Sequence, residues 1–430
     1  MNNSNKSSVV VDCGCVESTT SHKSGDNLIP VDMAILKGVG LAKPVADFEQ
    51  VSLLEARSRL SFRRLTARYP LPNFNNSAMD GYAVNTAELP DIGPCTLEIS
   101  GRMAAGDLAD DKNSSPAKDA IRILTGAQVP NAYNSVIMQE KCQVADGFVS
   151  FEQAPAVGNN IRYAGHDCMP GDTLIEPSTL IQSHHIALLA AQGIAEVPVF
   201  RKVRVAIFST GSELMQPGEE LKAGQIYNSN LFTMAMQLDQ PYVELINFGT
   251  IPDEPELLKS TLKQACENAD VVMTTGGVSV GDEDHMPRLV EELGGTLHVM
   301  KVAIKPGKPV TIGTIDDAIY VGLPGNPVAA FINQVLIARP IIEKIAGYFT
   351  PAAKTISVAA GFSRTSNISR QEYILARIES DDNGGTPVVS IIPKSGSASL
   401  MPLSKSDGFV VIPPGLNEIN PGDLVQFLPH

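Results

Sequence analysis

The chain has 430 residues and a formal net charge of −14, with 33 basic side chains against 47 acidic ones. An acidic balance of this size excludes a general nucleic-acid binder, which needs a basic face, but leaves room for a small anion in a local basic pocket. Hydrophobic residues make up 43% and charged residues 19%, the composition of a globular protein too long for one core, so two to four domains are expected.

The segment 1–30 is rich in Ser, Asn and Lys, shows no apolar period, and reads as a disordered extension. Its three-valine run is too short for a secretory segment, and no run in the chain approaches the ~20 apolar residues of a membrane helix. A cytoplasmic location is therefore the expectation. Six cysteines are scattered along the chain, which is no disulfide framework. Cys13, Cys15 and His22 read as exposed groups of a flexible tail rather than as a metal site.

At 47–66, Val51, Leu54, Ala56 and Leu60 recur at near-helical spacing and predict a helix. Between 66 and 155, short apolar runs (TLEIS, AIRIL, SVIMQ) alternate with Gly, Pro, Asn and Asp, which predicts a β-rich module. HHIALLAAQ then predicts a helix ending before Gly193. From about 198, VRVAIFS, ADVVMTT and AIYVGLP are continuous apolar runs of the buried parallel-strand type, with PELLKSTLKQACENA as a crossover helix. This is the pattern of a doubly wound α/β sheet, whose ligands sit beyond the carboxyl ends of the strands. After 350, TISVAA, QEYILARI, PVVSII, GFVVIP and DLVQFL predict a small barrel or sandwich.

Four loops follow from that placement. STGSEL (209–214) carries Thr210, Ser212 and Glu213, as a strand-end turn or as a functional loop. In TTGGVSVGDED (274–284), Gly276, Gly277 and Ser279 suit an anion nest. Its acids, Asp284 among them, suit either a divalent cation or the start of a helix. KVAIKPGKP (301–309) gathers Lys301, Lys305 and Lys308 on a stiff Pro/Gly loop, either a phosphate site or a solvated run. GLPGNPVAA (322–330) opens a helix, with Pro327 near its first position and Asn326 as a cap or part of an anion site. Together they imply an α/β domain that binds a phosphorylated small molecule with Mg²⁺.

PNFNNSAMDGYAV (72–84) is far more specific. It resembles the P-x-F-D-N-S-A-M-D-G-Y-A-V signature of the molybdopterin molybdenumtransferase family, of the MoeA and gephyrin E-domain type. TGAQVP, GNNIRYAGHD, STGSEL, GQIYNSN, TTGGVSVGDED, AIKPGKP and GLPGNPV follow in the same order, so the likeness spans about 47–430. The resemblance implies a multidomain α/β plus β fold. Its parts would be a linker and dimerisation domain (31–65 and 156–197), a β-rich insert (66–155), a doubly wound molybdopterin-binding domain (198–347) and a C-terminal β-barrel-like domain (348–430).

The implied reaction inserts molybdenum from molybdate into adenylated molybdopterin, releases AMP and uses Mg²⁺. The resemblance also implies a homodimer, with the molybdopterin adenylyltransferase and molybdoenzyme maturation proteins as further partners. Asp253, Asp284 and Glu213 are the expected metal ligands and, with Asp80, the catalytic acids; Asp253 has a second reading as a helix cap. Ser77, Thr125, Asp167, Thr210, Gly276, Gly277, Ser279, Lys305, Lys308, Pro324 and Asn326 are the expected substrate contacts. Ser77, Asp80 and Asp167 would approach from the opposing subunit.

Three positions depart from the family pattern: Asn75 and Asn228 stand where Asp is usual, and Ala329 follows GNPV where some relatives carry Ser. The loss of a carboxylate at Asn75 also admits a non-catalytic or weakly active scaffold. The α/β domain by itself would permit an adenylyltransferase, but the SAMDGYA module and β tail point away from it.

Overall fold

A computed structural model describes residues 28–90, 92–109, 116–277, 285–348, 354–365, 369–379 and 387–430. The expectations for 1–27, for Cys13, Cys15 and His22, and for Ser279 and Asp284 lie outside the described residues.

The α/β domain is built on a six-stranded sheet in the order Val243–Ile251, Val203–Thr210, Val271–Thr275, Ala318–Leu323, Pro309–Ile315, Thr296–Lys301. The first four strands are parallel, and Pro309–Ile315 pairs antiparallel with both its neighbours, Ala318–Leu323 and Thr296–Lys301. The three apolar runs are buried almost throughout, Arg204 excepted, because helices cover both sheet faces. Alternate residues divide between two cores. Val205 and Ile207 meet Leu231, Met234 and Ile341 on one face. Ala206 and Phe208 meet Leu258, Leu262 and Met286 on the other. The expected crossover helix is Pro255–Asn268, started by its proline and buried along Leu258, Thr261, Leu262 and Ala265. The helix Val31–Leu41 also packs here, with Val31 and Ala34 in the same cluster as Ile341.

The helix expected over 47–66 is not formed. Phe48–Ser52 is a strand paired antiparallel with Glu196–Phe200, and turns follow it. Ser58, at φ 59°, stands in a conformation no helix interior allows, and Leu54 is 85% exposed. The partner strand lies almost 150 positions away, so tertiary pairing overrides the local spacing. Leu65–Thr66 pairs with Thr173–Ile175, and Asn76–Ser77 with Ile161–Arg162. Ile175, Ile181, Leu189, Val197 and Val199 close a small core beneath the helix Ser183–Ala191.

The insert is β-rich as expected. Its six strands run Ser135–Met138, Gly81–Val84, Ala120–Ile123, Cys95–Met103, Phe148–Phe151, Gln143–Ala145. All five C-terminal runs are strands. They close a five-stranded barrel: Gln371–Glu379, Val388–Ile391, Ile356–Ala360, Leu424–Pro429 and Gly408–Ile412, which pairs back with the first. Ile304–Lys305 adds in parallel to Gln371–Glu372, tying the α/β domain to the barrel.

Candidate active site

The carboxyl ends of the parallel strands frame a cleft of about 360 Å³, lined among others by Thr210, Glu213, Asn230, Thr275, Gly276 and Asn326. Two observations make it a receptive site. Thr210 is 5% exposed, yet among the described residues its hydroxyl has no hydrogen-bond partner, which is costly unless another group completes it. Gly276 and Gly277 take φ 92° and 63° against Thr210. A Cβ on Gly276 would meet the Thr210 carbonyl and stand 2.9 Å from its hydroxyl. Only glycine allows the two strand ends to approach so closely.

The acids stand at the rim. The Asp253 carboxylate accepts the Ser212 N–H at 3.0 Å, and the Asp253 N–H donates to the Ser212 hydroxyl at 3.1 Å. Asp253 is therefore not the helix cap; Glu254 holds that position. Glu213 is exposed on the same turn. Asn326 occupies the cap position of the helix Pro327–Asn333 with no side-chain cap bond, and stays exposed. Pro324 is buried, its carbonyl accepting the Thr275 hydroxyl at 2.9 Å. Among the described residues no group of three or more His, Cys, Asp or Glu is placed to hold a metal, and Asp284 lies outside them. The donor type nevertheless fits a hard dication: two rim carboxylates, one kept in place by the Ser212 backbone.

Lys305 does not point at the cleft unengaged. Its ammonium bonds Glu372 at 2.9 Å, and Arg364 takes both oxygens of the same carboxylate at 2.9 and 2.8 Å. Glu372 is 5% exposed, so two cations neutralise one buried acid. These groups, with Ser395 and Ser397, line a second cleft of about 180 Å³ at the joint with the barrel. Lys308 sits half-buried on the same loop, its carbonyl accepting the Val302 N–H.

A separate group lies on the insert and its junction with the linker. One oxygen of Asp80 accepts the Thr125 N–H at 2.7 Å and the Thr125 hydroxyl at 2.8 Å. Those two bonds, with help from the Arg122 charge, hold the Asp80 carboxyl below its ordinary value of 3.8. Ser77 is fully buried and its hydroxyl donates to the Met79 carbonyl at 2.6 Å, locking the turn that carries Asp80. Asp167 is exposed, its N–H bonded to Leu71. Asn75 accepts the Ala164 N–H at 3.0 Å. Among the described residues no hydrogen bond or ion pair joins this group to the α/β cleft.

Sequence reasoning passed over Asn230, whose amide bonds the Thr275 hydroxyl at 2.9 Å and the Gly325 carbonyl at 2.7 Å. It also passed over Ala398 and Leu400, which bring the barrel domain to the cleft. Asn230 belongs to GQIYNSN and was within reach; Ala398 and Leu400 carry no local signal. Asn228 is 1% exposed and caps the helix Ser229–Gln237 through the Leu231 N–H, its amide donating to Thr250.

A chain with this glycine-lined α/β cleft, inserted β module and terminal barrel matches three family models in order. They are the MoeA N-terminal region (domains I and II) over 29–193, a probable molybdopterin binding domain over 206–344, and the MoeA C-terminal region (domain IV) over 357–430. It is 34% identical over 383 residues to the molybdopterin molybdenumtransferase of Haemophilus influenzae, covering 89% of this chain and 93% of that one. It is 32% identical over 410 residues to that of Bacillus subtilis, covering 93% and 94%. The crystal structure of the molybdopterin biosynthesis MoeA protein of Pyrococcus horikoshii OT3 superposes with a TM-score of 0.81 at 27% identity, over 94% of this chain and all of that one. The chain belongs to the molybdopterin molybdenumtransferase family.

Proposed function

We propose that this protein inserts molybdenum from molybdate into adenylated molybdopterin and releases AMP. The observation that carries this reading is the cleft itself: the Thr210 hydroxyl, unpartnered among the described residues, beside the close backbone approach of Gly276, which makes a receptive floor for a polyanionic ligand. Asp253 and Glu213, with Asp284, would hold Mg²⁺, which when bound offsets phosphoanhydride charge. Ser212 keeps the Asp253 carboxylate at the rim, and Asn230 fixes the Gly325 loop against the Thr275 strand end. The joint cleft of Lys305, Arg364 and the two serines suits a tetrahedral oxyanion such as molybdate in sign and size.

The Asp80–Thr125 pair is an ionised carboxylate whose second oxygen accepts no hydrogen bond among the described residues. In this reading it serves the cleft of a second copy, so the active unit is a homodimer. The test is a reconstituted reaction with adenylated molybdopterin, Mg²⁺ and molybdate, following AMP release and cofactor formation. Absence of turnover by folded, dimeric protein sinks the enzyme reading and leaves the scaffold.

A further inference from the structure

Five arginines fall between positions 57 and 68 of this acidic chain. Arg59 is a core clamp, 3% exposed, bonded to Glu49 and to the Phe200 carbonyl at 2.6 Å. Arg64 meets Glu176 at 3.0 Å with both side chains more than half exposed, a weak pair in water. Arg63 and Arg68 are exposed, and among the described residues their side chains have neither a hydrogen bond nor an ion pair.

Arg63, Arg64 and Arg68 line one cleft of about 690 Å³ together with Gln50, Thr66 and the segment 193–196. Glu196 is the acid of that lining, so positive charge is in excess. The walls are fixed by the pairing of Phe48–Ser52 with Glu196–Phe200 and of Leu65–Thr66 with Thr173–Ile175. No lining residue is shared with the α/β cleft or the joint cleft. Like charges converging on a rigid frame repel one another. A multivalent anion removes that repulsion and takes paired bonds from each guanidinium fork. The volume is that of a nucleotide-sized ligand.

We propose that this cleft binds a phosphorylated small anion of nucleotide size, as a site separate from the catalytic one. Calorimetry on the full chain with inorganic pyrophosphate and with ADP, at low and physiological salt, tests it. The wild type, the Arg63→Ala/Arg68→Ala variant and the Lys305→Ala variant are compared, with melting temperature as the control for folding.

We expect the arginine variant to lose one class of site, with affinity there falling at least about tenfold. Lys305→Ala should leave that class intact, and added salt should weaken it. An Arg63→Lys/Arg68→Lys variant should bind at intermediate strength, because it keeps charge but loses the forks. Pyrophosphate sufficing shows that phosphate carries the recognition; a need for ADP shows that the nucleoside adds to it; both support the site. Unchanged binding by the arginine variant overturns it. So does a change confined to oligomeric state, which would make the cleft an interface between copies.

Discussion

At Gly276 the backbone stands at φ 92° with the Thr210 carbonyl where a side chain would begin. Gly276→Ala combines a disfavoured backbone region with that clash. We expect it to cost roughly 1–3 kcal/mol in urea unfolding and to weaken ligand binding to the cleft. Asp80 is a different case, since its two bonds come from one residue. Thr125→Val removes the hydroxyl bond and keeps the N–H bond. The Asp80 carboxyl should then rise part of the way back toward 3.8, which a carboxyl-carbon NMR titration reads directly. Asn75 uses its oxygen to accept the Ala164 N–H, a bond an Asp makes equally. Asn75→Asp should therefore fold normally, and turnover within about twofold of the parent would remove the missing carboxylate as a cause of weak activity.

Among elements, the joint between the α/β domain and the barrel is the sharpest. Glu372 is buried between Lys305 and Arg364, but the cations differ: Lys305 is 44% exposed and gives one bond, Arg364 27% exposed and gives two. Arg364→Ala should cost roughly 1–3 kcal/mol in denaturant unfolding, because a buried carboxylate loses the Arg364 Nη2 group that donates to both its oxygens. Lys305→Ala should cost less than about 1 kcal/mol and act mainly on anion binding, in a salt-sensitive way.

A second electrostatic tie sits where the strands Val203–Thr210 and Val271–Thr275 begin. Burial pushes the Asp270 carboxyl up, but the Arg201 hydrogen bond, the Arg204 N–H and both guanidinium charges bring it below 3.8 overall. A lowered folded value means that this stability is present above the unfolded value and lost as pH falls through the folded one. Asp270→Asn should flatten the decline of melting temperature between about pH 5 and 3. An unchanged slope would remove Asp270 as its source.

For the whole molecule, the decisive fact is that the Asp80–Thr125 pair and the Glu213–Asp253 rim stand on separate modules with no bond between them among the described residues. If two copies complete each other's sites, inactive Asp80→Ala and Asp253→Ala chains should complement when unfolded and refolded together. Random pairing gives half mixed dimers with one intact site each, so activity should recover to about a quarter of wild type. No recovery, with mixed dimers present, would place both groups at one site within a chain.

Much of this was legible in the chain alone. The runs VRVAIFS, ADVVMTT and AIYVGLP declare buried parallel strands, because near-continuous apolar runs suit a sheet covered on both faces. The glycines and the Pro-opened helix then mark the ligand edge, and the five C-terminal runs declare their strands. Composition and period are local properties, and these elements follow from local rules.

What the tertiary structure decided were pairings between distant residues. Phe48–Ser52 became a strand because Glu196–Phe200 lies beside it. Lys305 became half of a clamp because Glu372, sixty-seven positions on, is buried against it. Ala398 and Leu400 reached the cleft because the barrel seats there, and Arg63, Arg64 and Arg68 converged because two strand pairs turn them toward one hollow. Such contacts leave no period in the sequence, since each depends on where another segment of the chain comes to rest.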